Sequence, residues 1–553
     1  MTGNLTIRIE KSIAAISPQS WSRLSGASKE ADPLGTSSVP YNPFLSHAFL
    51  SALEESGSAT AKTGWHGQHL LLEDDKGKLI GAVPGYLKSH SQGEYVFDHG
   101  WADAFERAGG RYYPKLQCAV PFTPATGPRL LVASGFDRDM VQTTLAEGLQ
   151  EVTRQLGISS AHVTFVPDDE VIAFEEAEYL HRTDKQFHFI NDGYADHDAF
   201  LETLASRKRK ALKKERRAAL ENGITIDWLT GKDLTEDILD QFYTFYMDTG
   251  GRKWGRPYLT RAFYSLIGER MADDILLVMA KREGRYVAGA INFIGGDALY
   301  GRHWGCIEDH PFLHFEVCYH QAIDYALAHG LKRVEAGAQG EHKLARGYLP
   351  VTTHSMHYIA HPGLRSAIAD YLKREREDVE YMNEYLSEHS PFRKGERQEQ
   401  DRAAERETPP MTGHDYDPNN IFAKILKGEI PCHRVYEDDD TLAFMDVMPQ
   451  TPGHVLVVPK APSRNLLDAD AAVLSKVIPV VQKLARAVKD AFDADGITIT
   501  QFNEAPAGQT VFHLHFHVIP RYENQPLKPH TGKMEDKEVL AANAEKIIGE
   551  LGF

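Results

Sequence analysis

Over the first 390 or so residues, apolar and polar positions alternate in short strand-like runs separated by helical ones. HLLLEDDKGKLIGAVPGYL reads as a β-hairpin turning around Asp75 to Gly77, and ILLVMAKREGRYVAGAINFIGG as a second, turning at Glu283 to Gly284. Both show an apolar strand, a charged glycine-containing turn and a second strand ending in glycine. One copy lies in each half, which suggests a duplicated α/β unit. Farther on, Ile368, Tyr371, Leu372, Val379, Met382 and Leu386 recur at helical spacing and predict a charged amphipathic helix over Ala367 to Leu386. In GQTVFHLHFHVIPR, Gly508 to Arg521, the alternation of Phe512, Leu514, Phe516 and Val518 predicts one strand. Such a strand places His513, His515 and His517 on a single face. Leu540, Ala544, Ile547, Ile548 and Leu551 predict a helix after it.

Length adds that 553 residues exceed one ordinary core, so two or three domains are expected. The seam falls between Pro391 and Asp417, a stretch rich in charge with two adjacent prolines and almost no apolar residues. Composition, 42% apolar and 25% charged, is that of a globular protein. A formal charge of -17 argues against a protein that coats nucleic acid, while leaving room for a local basic patch. The four cysteines form no CxxC pair, and the start shows neither a basic n-region nor an apolar h-region. No membrane span is expected, and the predicted location is the cytoplasm.

HxHxH alone leaves three readings open: metal ligands, a nucleophilic imidazole, or a polar sheet face. The flanking sequence adds to it. IFAKILKGEIP, VYEDDDTLAFMDVMPQTPGHVLVVPK, FNEAPAGQTV and HLHFHVIPR stand in the order and spacing of the histidine-triad (HIT) family, and together they resemble it over nearly all of the last 135 or so residues. The resemblance implies a pocket for a purine nucleoside monophosphate. Ile421, Phe422, Ile425, Phe444, Val447 and Leu456 match the apolar wall around the base, and Asp446 matches the carboxylate on the ribose hydroxyls. Asn503, Gly508, Gln509 and Thr510 match phosphate-contacting positions, His517 the histidine beside the phosphate, and His515 the nucleophile.

Some HIT proteins hold a structural zinc. Here Asn420, Ala423 and Pro462 occupy three of its four ligand positions, so no metal or cofactor is expected in this domain and His513 is expected to be a hydrogen-bonding member. The family resemblance also implies a homodimer.

Residues about 38 to 393 resemble a bacterial family of predicted N-acyltransferases related to the Fem-type aminoacyltransferases of peptidoglycan cross-bridges. The matching stretches include YLKSHSQGEYVFDHGWADAFERAGGRYYPKLQCAVPFTPATGPRLL, SRKRKALKKERR and LYGRHWGCIEDHPFLHFEVCYHQAIDYALAHGLKRVEAGAQGEHKLARGY. The resemblance implies a pair of GNAT-like α/β units and transfer of an acyl or aminoacyl group to an amine. Arg302 to Ile307, RHWGCI, departs from the acetyl-CoA loop at its last position, so acyl-CoA and aminoacyl-tRNA both stand as donors. Ser206 to Arg217 carries eight basic residues, either a solvated helix face or a phosphate contact. Other polar candidates are Asp98, His99, Trp101, Asp103 and Tyr113, and Glu335, Gln339, Glu341, His342, Lys343 and Arg346 where a strand runs into a loop.

The predicted fold class is therefore α/β (α+β): two GNAT-like units at 1–180 and 181–395, a linker at 396–416, and a HIT domain with an antiparallel sheet and helices at 417–553. The predicted function joins a HIT nucleotidyl hydrolase or transferase, working through a nucleotidyl-histidine, to an N-acyl or aminoacyltransferase. The alternative is a nucleotide-sensing HIT domain fused to a non-catalytic module that binds tRNA or a peptidoglycan precursor.

Overall fold

Local turn chemistry builds the sheets. Glu283 and Gly284 both take positive φ, 52° and 81°, as a two-residue hairpin turn with the right twist requires, and Arg282 then pairs directly with Arg285. At the other predicted hairpin Asp74 accepts the amides of Lys76 and Lys78 and so closes the loop before Leu79. Both hairpins form where the pattern places them.

The computed structural model describes residues 5–29, 39–254, 257–337, 341–388, 391–392, 416, 420–503, 509, 511–523 and 535–551. The chain is a mixed α/β protein that divides into two units, Met1–Glu396 and Arg397–Phe553. The predicted linker at 396–416 lies outside the described residues except for Tyr416. Among the described residues, no helix is long and apolar enough to cross a membrane.

Among the described residues the first unit has fifteen strands: β1 (Thr6–Glu10), β2 (Trp65–Gly67), β3 (His69–Glu73), β4 (Leu79–Val83), β5 (Gly85–Lys88), β6 (Lys115–Cys118), β7 (Leu131–Val132), β8 (Ser160–Val166), β9 (Leu180–Ile190), β10 (Thr225–Leu229), β11 (Ile275–Arg282), β12 (Arg285–Ile294), β13 (Ala298–Cys306), β14 (Arg333–Glu335) and β15 (Leu349–Ile359). Four form a small sheet, β1-β3-β4-β7, and the rest one long sheet, β10-β11-β12-β13-β14-β9-β15-β8-β6-β5-β2. Two parallel pairs recur in it. β6 runs parallel to β8 with the helix Arg138–Gln155 between them in sequence, and β13 parallel to β14 with the helix Gln321–Ala328 between them. β9 pairs with β14 on one side and with β15 on the other, and β15 crosses to pair with β8. β15 thus joins the strands of the second half to those of the first.

Close packing fixes individual residues. A side chain at Gly305 would place its Cβ 2.1 Å from the Phe245 carbonyl, so only glycine lets the helix Glu236–Trp254 lie against β13. Where β6 and β8 part, the buried Arg129 fills the gap. Its guanidinium donates to the carbonyls of Ala125, Gly127, Pro128 and Thr164 at 2.7–3.1 Å, and Glu170 accepts the Arg129 and Leu130 amides. The closing helix is longer than its pattern, Pro362–Glu388.

The second unit is a five-stranded sheet, β16 (Arg434–Glu437), β17 (Thr441–Met445), β18 (Val455–Pro459), β19 (Gly496–Thr500) and β20 (Phe516–Arg521), in the order β16-β17-β18-β20-β19, all antiparallel. Ala443, Met445, Val455, Val457 and Val518 face the helices. Val477, Val480, Val481, Leu484, Ala487 and Val488 answer them from Ala471–Ala491, and Leu540, Ala544 and Ile547 from Lys537–Glu550. The opposite face carries Leu442, Phe444, Leu456 and Val458, covered by Phe422 and Ile425 of the helix Ile421–Leu426. Asn420 caps that helix by accepting the Ala423 amide at 2.9 Å.

Candidate functional site

The three histidines do not share one strand. β20 begins only at Phe516, so His517 alone lies in the ladder, paired with Leu456 of β18. The cause is long-range: the Leu514 amide donates to Ser463 at 2.7 Å, in the loop after β18, and draws the chain out of strand register. Even so His513, His515 and His517 are all buried, and the rings of His515 and His517 lie 5.1 Å apart.

Hydrogen bonds assign each ring a form. His513 Nε2 bonds the Pro459 carbonyl at 2.8 Å and must carry the proton, so Nδ1 accepts from the Tyr416 hydroxyl at 2.6 Å. Burial pushes its pKa down to about 4. His515 Nδ1 donates to the His513 carbonyl at 2.6 Å, which puts the neutral ring's lone pair on Nε2. The ring packs edge-on against Phe422 at 5.0 Å.

His517 is held by a residue that the sequence did not single out. His454 closes the Pro-Gly turn before β18. Its Nδ1 accepts the Gln450 amide at 3.3 Å, leaving Nε2–H to donate to His517 Nδ1 at 3.0 Å. His517 then carries its own proton on Nε2. Asp446 Oδ2 stands 3.4 Å from His454 Nδ1, and Oδ1 accepts the Met448 amide. One possible ligand atom from each of Asp446, His454 and His517 lies within 4.8 Å of the others, a spacing that could hold a metal. In the arrangement found, the His454 and His517 rings stand in hydrogen-bond contact at 3.0 Å. The signal for His454 was its place in PGHVLVVPK, which singles out no chemistry by itself.

Of the predicted base wall, Phe422, Ile425, Phe444 and Leu456 come together on the site face, whereas Ile421 and Val447 are exposed. Gln509 braces the loop: its amide donates to the carbonyls of Arg464 and Val511. Asn503 accepts the Leu466 amide. Gly508 and Thr510 lie outside the described residues.

In the first unit, Asp98 is buried in a network with Lys115, Ser91 and Tyr112, and Trp101 is buried nearby, while His99 and Asp103 are exposed and Tyr113 is half-buried. Glu335, Lys343 and Arg346 are buried and His342 is exposed. Lys343 donates to the Gly337 carbonyl, and burial lowers its pKa to about 8. Gln339 and the side chain of Glu341 lie outside the described residues. The basic run forms the helix Ser206–Ala219. Arg209, Lys213 and Arg216 pair with Glu202, Asp198 and Glu316, and Arg207, Lys208, Lys210, Lys214 and Arg217 stay exposed.

Comparison with known proteins assigns both units. A FemAB-like family model, described as peptidoglycan biosynthesis/recognition, matches residues 12–394, and a HIT domain model matches residues 427–524. "Protein hit" of Bacillus subtilis is 43% identical over 104 residues, 19% of this chain and 72% of that protein. "Adenylylsulfatase HINT3" of Arabidopsis thaliana is 36% identical over 124 residues, 21% of this chain and 62% of its own length. A solved HIT-like protein of Bartonella henselae is 60% identical and covers 25% of this chain and 99% of its own, with a TM-score of 0.23.

The His513 tautomer predicts an acid-sensitive second unit. In the unfolded chain this ring takes up a proton near pH 6.5, and in the folded one near 4. Stability from the site is therefore complete above about pH 6.5 and is lost as pH falls toward 4. A histidine-resolved NMR titration should show the ring neutral at pH 5, and His513→Gln should remove this site's contribution to the pH slope in urea unfolding.

Proposed function

Because this chain belongs to the FemAB-like family and carries a HIT domain at its C-terminal end, we propose that it unites a nucleotidyl hydrolase or transferase with an N-acyl or aminoacyltransferase. The observation that carries the first activity is the tautomer of His515. Nε2 holds its lone pair with no need to shed a proton, so it can attack the phosphorus of an AMP-like phosphoramidate or dinucleotide. The bond from phosphorus to the leaving group breaks as the phosphorus–Nε2 bond forms. A proton taken up from solvent makes His517 the imidazolium, which gives a proton to the departing amine, and the neutral His517 imidazole left behind then accepts a proton from the water that hydrolyses the nucleotidyl-histidine. His454 acts through His517, fixing its tautomer. Phe422, Phe444 and Leu456 supply the base wall, and Asp446 the ribose contact. The name of the Arabidopsis relative supports an adenylyl substrate.

For the first unit the donor favoured is aminoacyl-tRNA, with acyl-CoA the alternative. The exposed cations of Ser206–Ala219 support phosphate contact, and the family supports amine acylation. Each half would be one GNAT-like unit, the two sharing the long sheet through β9 and β15. The second unit is proposed to pair as a homodimer beside its edge strand β19, where Ile478 and Ile499 are 47% and 48% exposed next to Val481, Ala485 and Phe516.

Three measurements test these readings. With adenosine 5′-phosphoramidate, His515→Ala should lower kcat by about 10³-fold or more, and His454→Ala by about 10- to 100-fold with little change in KM. Undiminished turnover in His515→Ala removes the nucleophile. Reversing Lys208, Lys210 and Lys214 to Glu should abolish salt-sensitive tRNA binding by the full chain, and unchanged binding removes the phosphate role of this helix. Ile499→Lys should halve the mass seen by light scattering, and a wild-type chain that is monomeric refutes the dimer.

A further inference from the structure

β10 is the edge strand of the long sheet, and its Trp228 pairs with Val278 of β11, which packs in the core beneath the helix Gln321–Ala328. Cross-strand partners share a face, so the indole lies on the side of the sheet that carries that helix. There it is pinned. Its Nε1–H donates to Gln321 Oε1 at 2.8 Å, and the Tyr325 ring meets it edge-on at 5.3 Å. Tyr325 in turn stacks at 3.8 Å on His329. Trp228 is nonetheless 36% exposed, and His329 is exposed beside it. An indole fixed in place yet open to solvent is a ready platform for a flat ligand, because it has little rotamer freedom left to lose on contact.

The helix that holds this aromatic group also anchors the basic run. Arg216 of Ser206–Ala219 reaches Asp324, the neighbour of Tyr325, at 2.6 Å and Glu316 at 2.8 Å. Residues 220–224 then lead from the end of the basic helix straight into β10. Lys210, Lys214 and Arg217 recur at i, i+4 and i+7, so they form one exposed stripe about 10 Å long that runs toward β10. Among the described residues none of the three makes an ion pair, while the acids around them, Asp198, Glu202, Glu215, Glu316 and Asp324, are each paired with another base. The stripe therefore keeps its positive charge within reach of the open indole.

We propose that this edge of the first unit binds an unpaired stretch of RNA, one base stacked on Trp228 and the neighbouring phosphates along Lys210, Lys214 and Arg217. The inference rests on the aminoacyl-tRNA donor proposed above and adds which part of such a donor this surface takes. Bases inside a duplex already have both faces stacked, so a duplex offers the stripe its phosphates and the indole nothing, whereas an unpaired base can lie flat on a ring. Nucleic acid supplies a ring face and a negative charge in one repeating unit, which is the pairing of features found here. With a net charge of -17 the chain as a whole repels RNA, so a local cationic stripe also sets the orientation of approach.

Fluorescence anisotropy of the full chain with a short labelled single-stranded RNA, the same RNA annealed to its complement, and an abasic chain of equal charge, each over a salt series, tests it. The single strand should bind about 10-fold more tightly than the duplex or the abasic chain, and Trp228→Ala should remove that preference. Duplex binding and the salt dependence should be unchanged in Trp228→Ala, and Trp228→Phe, which keeps a ring, should retain most of the preference. Salt-sensitive binding that is equal for all three probes, or a preference for the single strand undiminished in Trp228→Ala, would overturn the stacking and leave the phosphate contact standing. No salt-sensitive binding of these probes or of tRNA by the wild type would remove the donor reading and this surface with it. If Trp228→Ala fails to fold, the comparison of single strand with abasic chain on the wild type still decides.

Discussion

The second unit turns on one hydrogen bond, from His515 Nδ1 to the carbonyl of His513 two residues earlier. A neutral imidazole has one proton and one lone pair, and this bond decides which nitrogen holds each. The bond exists because the chain at His513–Leu514 leaves the ladder. The His513 ring is pinned to Pro459 and Tyr416, and the Leu514 amide to Ser463. An unbroken strand would have spent the His513 carbonyl on a neighbouring strand. The interruption of β20 thus gives His515 the tautomer that the proposed attack requires, and the regular part of β20 gives His517 a fixed place beside Leu456.

The first unit is governed by a related constraint, the treatment of groups where parallel strands part. At β6 and β8 the gap is closed internally, Arg129 answering a ring of backbone carbonyls. Beyond the paired part of β13 and β14, the bulged Arg302 donates to the Phe122 carbonyl and lies 5.9 Å from the Tyr95 ring. The same residue type thus answers backbone carbonyls at both places, four at Arg129 and that of Phe122 at Arg302.

Features set by neighbours in sequence were legible before the fold was seen. The turn at Glu283–Gly284, the helix of the basic run and the identity of the histidine segment all follow from local pattern and motif. Features set by distant partners were not. The true start of β20 depends on a carbonyl 51 positions away, that of Ser463 for the amide of Leu514. His454 sits in an ordinary apolar strand motif and gains its role only from lying opposite His517. The pairing of β15 with β8 across the halves, and the bulge at Arg302, are matters of register that no single segment encodes.

The account rests most directly on a covalent bond between His515 and a nucleotidyl group. Mixing the full chain with adenosine 5′-phosphoramidate, quenching rapidly under mildly alkaline denaturing conditions and mapping the peptides by mass spectrometry would look for that bond. The account predicts an adenylyl adduct confined to His515 that forms and decays at rates compatible with turnover. An adduct on another residue, or full turnover with no adduct at any quench time, would contradict it.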